Sequence, residues 1–255
     1  MDENSEYMEV FFDVQRGLPR QGPGSDESTL KALSLCRGLP QKPVVLDIGC
    51  GPGMQTVALA KALEGDITAV DIHKEYLDEL KERVKAAGVI ERVEIQVGDM
   101  NDLPFPPLTF DLIWSEGAAY IMGFENALVA WKRLTRVGGF TAMTELVWRK
   151  QDAPRQVTEF FATEYPAMTD VASILNAISG CGYEPVGHFT LPDNAWWEHY
   201  YTPLERKLPS LREKYSADKQ AMSLVDSADR EIEMRRRFGQ WYGYEFFVVR
   251  KPRGQ

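Results

Sequence analysis

The stretch from residue 44 to residue 53 limits the possible folds of this chain most strongly. It reads Val44-Val45-Leu46-Asp47-Ile48-Gly49-Cys50-Gly51-Pro52-Gly53, an apolar run with an acidic residue, followed by glycines at alternate positions. Apolar residues at helical spacing follow in 54–63. Glycine accepts a positive φ and has no Cβ to exclude a bound molecule, and the first N–H groups of a helix attract an anion. The stretch therefore predicts a strand, a tight turn and a helix that contact a ligand, although such a turn can also form without one.

Strands and helices then alternate along the chain. Short β-rich runs lie at 66–72, 92–97, 110–114 and 140–147, and helical patterns lie at 76–87 and 124–134. With the first strand, this makes five strands separated by helices or loops. The pattern predicts a parallel, doubly wound α/β sheet that binds ligands at the carboxyl ends of its strands.

The flanking segments are less regular. Residues 7–18 have the spacing of an amphipathic helix, and a second helix is predicted from a cap at Ser25 or Asp26 to about Cys36. After the core we predict helices at 154–165 and 171–178 and strands at 183–191 and 244–249. The long connection between these two strands contains an aromatic cluster at 196–201 and a charged helix at 218–238, whose residues 230–237 we interpret as a solvated face.

We expect one domain over residues 1–255. Its parts are an N-terminal helical arm at 1–37, a core at 40–150 and a second half at 151–255 with a helical insertion at about 196–240. The segment at 21–22 either packs on the core or covers a bound ligand as a lid.

Composition disfavours several classes of function, although it leaves a local basic patch open. The formal net charge of −9 disfavours a nucleic-acid surface, which needs clustered Lys and Arg. The three cysteines, Cys36, Cys50 and Cys181, have neither disulfide nor metal-site spacing, and we expect reduced thiols in a cytoplasmic protein. The acidic start at 1–6 does not resemble a signal peptide, and no apolar run is long enough to span a bilayer. We expect a monomer or homodimer without nucleic-acid or membrane partners.

Polar residues follow the ends of the later strands. Asp71 ends the second strand, where a carboxylate can accept hydrogen bonds from both hydroxyls of a ribose. Asp99 can accept from an adenine amino group while Met100 donates its N–H to the ring, although Asp99 could instead cap a turn. Ser115 can offer its carbonyl to the amino group of a methionine moiety. The glycine spacing also differs from the G-x-G-x-x-G of dinucleotide sites.

These features resemble the class I S-adenosylmethionine-dependent methyltransferases. The match covers residues 40–150 and is carried by the first motif at 47–53, Asp71, the adenine-side motif at 98–100 and the turn at 136–140. Segments 20–25, 114–118 and 196–201 also resemble a bacterial small-molecule subgroup of the methyltransferase type 11 kind. The resemblance implies a Rossmann-like seven-stranded sheet with a C-terminal antiparallel hairpin. It also implies methyl transfer from S-adenosyl-L-methionine, with S-adenosyl-L-homocysteine as the product.

The candidate cofactor site combines the arm, the glycine turn and the strand ends. Asp47 is expected to orient the turn rather than to touch the ligand. The candidate cofactor-binding residues are Gln21, Gly22, Asp47, Gly49, Gly51, Asp71, Ile72, Asp99, Met100 and Ser115.

The candidate general base is Glu116, which follows the fourth strand beside the expected methyl group, with Tyr120 and His199 as second choices. Glu116 could equally be a surface carboxylate and His199 a packed core residue. The histidines have no metal-ligand spacing, so no metal is expected. The predicted reaction is methyl transfer to the N or O atom of a small molecule. A protein side-chain methyltransferase, an aminopropyl transferase and a non-catalytic cofactor-binding module stay open as alternatives.

Overall fold

A central sheet organises the protein, which is described by a computed structural model over residues 3–253, with side chains for 7–253. Within this range the main path contains seven strands in the order β3-β2-β1-β4-β5-β8-β7, and a two-residue strand, β6, pairs with β5. The described residues do not include residues 1, 2, 254 and 255 of the predicted single domain. Residues 1 and 2 are also the start of the acidic N-terminus. The strands are β1 Val44–Ile48, β2 Asp66–Asp71, β3 Val93–Val97, β4 Phe110–Ser115, β5 Thr135–Trp148, β6 Thr169–Asp170, β7 Glu184–Thr190 and β8 Tyr242–Arg250.

The five strands of the core are parallel, as predicted. β1 lies between β2 and β4, so the carboxyl ends of β1, β2, β3 and β4 meet along one edge. β8 runs antiparallel to both β5 and β7, which confirms the C-terminal antiparallel hairpin. The predicted fold class is therefore confirmed.

β5 begins earlier than its sequence pattern indicates. The strand was predicted from Phe140, but it starts at Thr135 and includes Gly138 and Gly139. A Cβ on Gly139 would lie 2.9 Å from the carbonyl oxygen of Asp111 on β4. The glycines thus allow close backbone approach within a strand whose pairing shifts register between Phe110 and Leu112.

Helices cover both faces of the sheet. One core contains Ala32, Leu59 and Leu80, and the other contains Leu128 and Ile178, all of them on helices. Within residues 3–253, none of these helices is long and apolar enough to cross a membrane. The helices are α1 Glu3–Gln15, α2 Asp26–Leu35, α3 Met54–Ala62, α4 Lys74–Ala86, α5 Phe124–Lys132, α6 Arg155–Glu164, α7 Val171–Gly180, α8 Asn194–Trp196, α9 Thr202–Lys214 and α10 Lys219–Phe238, with 3₁₀ turns at Ile90–Arg92 and Ala119–Ile121 and a π-helical turn at Trp197–Tyr201.

The predicted cap of α2 is confirmed. The hydroxyl of Ser25 accepts a hydrogen bond from the N–H of Ser28 at 3.1 Å, which satisfies one of the free donors at the helix start. At the start of α10, Asp218 accepts from the N–H groups of Gln220 and Ala221 in the same way.

The insertion forms a third apolar core with the arm. Val14 of α1 packs with Phe161 of α6, Leu208 of α9 and Phe238 of α10. The sequence reading missed α9, which contains Pro209 in its interior, where proline removes a helical hydrogen bond. This core joins the N-terminal arm to the second half of the chain.

The interpretation of residues 230–237 as a solvated face is wrong for Arg235. This side chain is buried, and its guanidinium lies 3.9 Å from the centre of the Trp196 ring. It donates to Asp193 at 2.9 Å and to the carbonyl oxygen of Tyr242 at 3.1 Å. Stacking and ion pairing therefore stabilise a buried charge that the sequence pattern does not indicate.

Candidate functional site

A cavity of about 370 Å³ lies at the carboxyl ends of the parallel strands. The glycine turn after β1, the ends of β2 and β3, the loop after β4 and the N-terminal arm surround it. Of the thirteen predicted site residues, ten line this cavity. They are Gln21, Gly22, Gly49, Gly51, Asp71, Ile72, Asp99, Met100, Glu116 and Tyr120.

The glycine turn is pressed against its surroundings. Gly49 has a φ of +67°, and a Cβ at this position would lie 2.4 Å from the Cβ of Ala118 in the loop after β4. Gly53, with a φ of +77°, would place a Cβ 2.1 Å from Leu80 of α4. Both positions need glycine for its conformation and for its lack of a side chain.

Asp47 lies behind the turn and does not contribute to the described cavity lining. It is fully buried and accepts hydrogen bonds from Thr56 at 2.6 Å and Gln55 at 3.4 Å, both on α3. Burial raises the pKa of Asp47 to about 7, and the hydrogen bond from Thr56 opposes the rise. These bonds join β1 to α3, which agrees with the expected role of Asp47 in orienting the turn.

Asp71 connects the second strand to the glycine turn. Its Oδ2 accepts from the N–H of Gly51 at 2.9 Å, and its Oδ1 accepts from the N–H of His73 at 2.9 Å. Each carboxylate oxygen has a further lone pair that can accept a ligand hydroxyl. Ile72 follows on the cavity wall and is 57% exposed, which leaves an apolar surface next to the carboxylate.

Asp99 and Met100 form the wall after β3. Oδ1 of Asp99 accepts from the backbone N–H and the side-chain amide of Asn101, both at 2.8 Å. These bonds, led by the backbone N–H, lower the pKa of Asp99. Asp99 is thus an exposed carboxylate whose Oδ2 is available to a ligand. Its Oδ1 also caps the turn at Asn101, which was the alternative interpretation of this residue.

Ser115 lies deeper than predicted. Its side chain is fully buried, its Oγ has no hydrogen-bond partner among the described residues, and it is not among the described residues that line the cavity. Backbone pairing with Met143 of β5 fixes its position at the end of β4. Contact between Ser115 and a cofactor stays a prediction.

The N-terminal arm crosses the cavity and is fixed at several points. Arg83 of α4 donates to the carbonyl oxygens of Pro19 at 2.6 Å and Leu18 at 3.2 Å. On the other side, the N–H of Gly24 donates to the carbonyl oxygen of Ala195 at 2.9 Å. Gln21 and Gly22 lie between these anchors on the cavity wall, and their role as a lid stays a prediction.

Glu116 anchors the arm, and its role as a general base stays a prediction. Arg20 donates to Oε2 at 2.9 Å, and Oε1 accepts from the Thr29 hydroxyl at 2.6 Å and from the Trp114 ring N–H at 2.9 Å. The side chains of Arg20 and Glu116 are only 5% and 4% exposed. A carboxylate held by a guanidinium and two further donors is poorly suited to take a proton from a substrate.

The two other predicted catalytic residues, Tyr120 and His199, differ in their position relative to the cavity. Tyr120 lines the cavity, and burial together with the carboxylates of Glu231 and Glu145 raises its pKa. His199 is not among the described lining residues; its carbonyl oxygen accepts from the N–H of Arg20 at 3.2 Å. The π-helical turn that contains His199 therefore supports the arm, and the structure gives its imidazole no place in the described cavity wall.

Sequence reasoning missed Arg20 and Thr29 as partners of Glu116. Arg20 belongs to the segment that resembles the subgroup, but the resemblance did not indicate its partner. Among the described side chains, no group of three or more His, Cys, Asp or Glu residues could hold a metal ion.

Comparisons with known proteins agree with this architecture. Residues 45–139 match the family model described as "Methyltransferase domain". The region that contains the glycine turn and the strands β1–β4 is thus similar to methyltransferase domains. A solved S-adenosylmethionine-dependent methyltransferase from Geobacter sulfurreducens, in complex with S-adenosyl-L-homocysteine, superposes with a TM-score of 0.80 at 19% identity, covering 94% of this chain and 97% of that one. At this identity the likeness shows a shared fold.

Two relatives in sequence are also methyltransferases. The methyltransferase GfsG of Streptomyces halstedii is 27% identical over 51% of this chain and 52% of its own length. The 27-O-demethylrifamycin SV methyltransferase of Amycolatopsis mediterranei is 24% identical over 82% of this chain and 77% of its own length. The chain thus spans about half of GfsG. These matches confirm the predicted resemblance to the S-adenosylmethionine-dependent methyltransferases.

Proposed function

We propose that this methyltransferase domain binds S-adenosyl-L-methionine in the cavity and transfers its methyl group to an N or O atom of a small molecule. One observation carries the proposal. The glycine turn, Asp71 and Asp99 come from three strand ends and line a single cavity, together with the arm residues Gln21 and Gly22. A site at this edge of an open α/β sheet is where ligands of such folds bind.

The chemistry of the wall fits the proposed cofactor. Asp71 offers carboxylate lone pairs to a ribose, and Asp99 has one oxygen free for an adenine amino group. The side-chain carbonyl of Gln21 is a buried acceptor with no partner among the described residues. It can accept from the ammonium or hydroxyl groups of a ligand under the arm.

In the proposed reaction the cofactor supplies the reactive group, and the protein binds and aligns the reactants. S-adenosyl-L-methionine, when bound, supplies a methyl group that is already activated by its sulfonium. The residues of the chain bind it, exclude water and align the acceptor, and such alignment can contribute ~7–11 kcal/mol to catalysis. The arm, held by Arg20 and Arg83, provides the cover.

Binding and turnover test the proposal separately. We expect S-adenosyl-L-methionine and S-adenosyl-L-homocysteine to bind in isothermal titration calorimetry. Asp71→Asn should weaken both at least tenfold, because it removes a charged acceptor worth about 1.5–3 kcal/mol. Asp66→Asn is the matched control, since Asp66 is an exposed carboxylate at the opposite end of the same strand. Failure of both compounds to bind would refute the proposed cofactor.

Turnover with a radiolabelled methyl donor and a metabolite panel tests the activity. Label should appear in small-molecule products. Label that appears only in added proteins would favour the protein side-chain alternative. Binding without transfer to either kind of acceptor would favour the non-catalytic module.

A further inference from the structure

Glu145 is a buried carboxylate with an unused oxygen. It lies near the end of β5 with 2% of its surface exposed. Its Oε1 accepts a hydrogen bond from the hydroxyl of Tyr165, and its Oε2 has no partner among the described residues. Among the described side chains, those of residues 7–253, none forms an ion pair with Glu145. An unpartnered buried carboxylate oxygen is costly, so its presence calls for an explanation.

Buried acids on this face of the sheet do not all have an unpartnered carboxylate oxygen, as the neighbouring strand shows. Glu245 of β8 lies directly opposite Glu145 and is equally buried. Its two oxygens bind the ring of His188 at 2.5 Å and the hydroxyl of Thr190 at 2.6 Å. Glu245 therefore has a partner for each oxygen, whereas Glu145 keeps one oxygen available.

Glu145 is not among the described residues that line the cavity, but it lies next to the loop after β4, which forms the cavity wall at Tyr120. Ser115, the last residue of β4, pairs with Met143, so Glu145 lies two positions beyond the end of β4. The N–H of Gly117 donates to the hydroxyl of Thr144 at 2.7 Å, which holds the loop after β4 against this part of β5. In that loop Tyr120 lines the cavity, and its ring centre lies 5.9 Å from that of Tyr165.

A second carboxylate approaches from the insertion. Glu231 of α10 accepts from the hydroxyl of Tyr201 at 2.7 Å. Burial and, to a smaller extent, the carboxylates of Glu145 and Glu231 raise the pKa of Tyr120 and of Tyr244. Glu231, like Glu145, has no ion pair among the described residues. The surroundings of Tyr120 are thus acidic and aromatic, and we call the part of the cavity beside Tyr120 its acceptor end.

We propose that the acceptor end of the cavity binds a protonated amine of the methyl acceptor, with Oε2 of Glu145 as its hydrogen-bond acceptor and tyrosine rings around it. The proposal rests on the proposed methyl transfer and deepens it by naming the substrate class. A carboxylate makes strong, charge-assisted bonds to ammonium groups, and aromatic faces attract cations. The same surroundings repel acceptors that carry a carboxylate or a phosphate.

The protonation of Glu145 agrees with this role. Burial raises the pKa of Glu145 to about 7, while the hydrogen bond from Tyr165 opposes the rise. A cation at Oε2 stabilises the ionised form and offsets the burial. The ammonium proton can then pass to Oε2, which leaves a neutral amine with a free lone pair and a neutral carboxylic acid.

Binding measurements test the proposal with two matched sets of compounds. The first is phenethylamine, phenethyl alcohol and phenylacetate; the second is hexylamine, hexanol and hexanoate. Each is titrated calorimetrically into the full chain, alone and saturated with S-adenosyl-L-homocysteine. We expect at least one amine to bind, at least tenfold tighter than its alcohol and carboxylate. Glu145→Gln should abolish this preference, whereas Glu245→Gln, the matched control on β8, should keep it.

The outcomes separate this inference from the proposed function. Equal binding of amine, alcohol and carboxylate, or the absence of amine binding, would overturn the amine site. An unchanged preference in Glu145→Gln would overturn the role of Glu145, provided that the variant still shows a cooperative unfolding transition. The relative affinities of amine, alcohol and carboxylate for the wild-type chain decide in any case whether the amine site exists. If S-adenosyl-L-homocysteine does not bind but the amine preference is present, the proposed cofactor fails and the amine site stands.

Discussion

Replacement of Glu116 by glutamine distinguishes its two possible roles. The glutamine keeps the size of the side chain, and its amide oxygen can still accept from Thr29 and Trp114. Its NH₂ group, however, then faces the Nη1 donor of Arg20, which the carboxylate contacts at 2.9 Å. Arg20 retains Asp26 at 3.2 Å, but the side chain of Asp26 is 56% exposed and therefore a weak replacement.

The loss of one partner from a buried ion pair typically costs ~3–5 kcal/mol. Because Asp26 partly compensates, we expect Glu116→Gln to lower the free energy of unfolding by about 3 kcal/mol. In a chain of this size that corresponds to a fall in Tm of roughly 10 °C. A general base would behave differently, with turnover reduced by about 10²–10⁴-fold and stability little changed.

Urea and thermal unfolding, with calorimetric titration of S-adenosyl-L-homocysteine, measure these effects. We expect Glu116→Gln also to weaken cofactor binding, because the arm that carries Gln21 and Gly22 loses its anchor. Glu27→Gln, an exposed acid in the first turn of α2, is the control and should change neither quantity. A variant that unfolds like wild type but has lost turnover would refute the anchor and restore Glu116 as the base.

Three further substitutions test other parts of the structure. Gly49→Ala should lose more stability than Gly88→Ala in urea unfolding by about 1–3 kcal/mol, because both have positive φ but only Gly49 is crowded; equal losses would contradict this. Arg235→Lys should lower the free energy of unfolding by roughly 2 kcal/mol, because the stacked and paired guanidinium is lost. The exposed Arg230→Lys should leave it unchanged, and a similar effect of both substitutions would refute the buried role. The pKa of Asp47 rises on folding from 3.8 to about 7, so the native state binds the proton more tightly and stability should fall as pH rises from about 4 to 7. Asp47→Asn should flatten that slope, and an unchanged slope would show that other groups cause it.

The donor half of the site could be predicted because its signals are local. The glycine turn lies directly between its strand and its helix, and Asp71 and Asp99 follow strands that the alternation of apolar runs identifies. Strand ends in a parallel sheet meet at one edge, so sequence order alone brings these residues together. The same logic explains why the fold class was predicted correctly.

The proposed acceptor half depends on contacts between distant segments. Glu116 has its partners Arg20 and Thr29 at separations of 96 and 87 residues, and no local pattern records such pairs. Glu145 reads as an ordinary polar residue within a strand, and only the packing of Tyr165 and the loop after β4 shows that it is buried. Arg235 was misjudged for the same reason, since its partner Trp196 comes from a different helix.

The arm connects these two halves physically. Gln21 lies on the cavity wall near the glycine turn, while its neighbour Arg20 binds Glu116 and donates its N–H to the carbonyl oxygen of His199 in the insertion. A shift of the insertion therefore moves the arm, and a shift of the arm changes the cover over the proposed cofactor. Replacement of the insertion to alter acceptor choice should for this reason also change cofactor affinity, unless the contacts of Arg20 are kept.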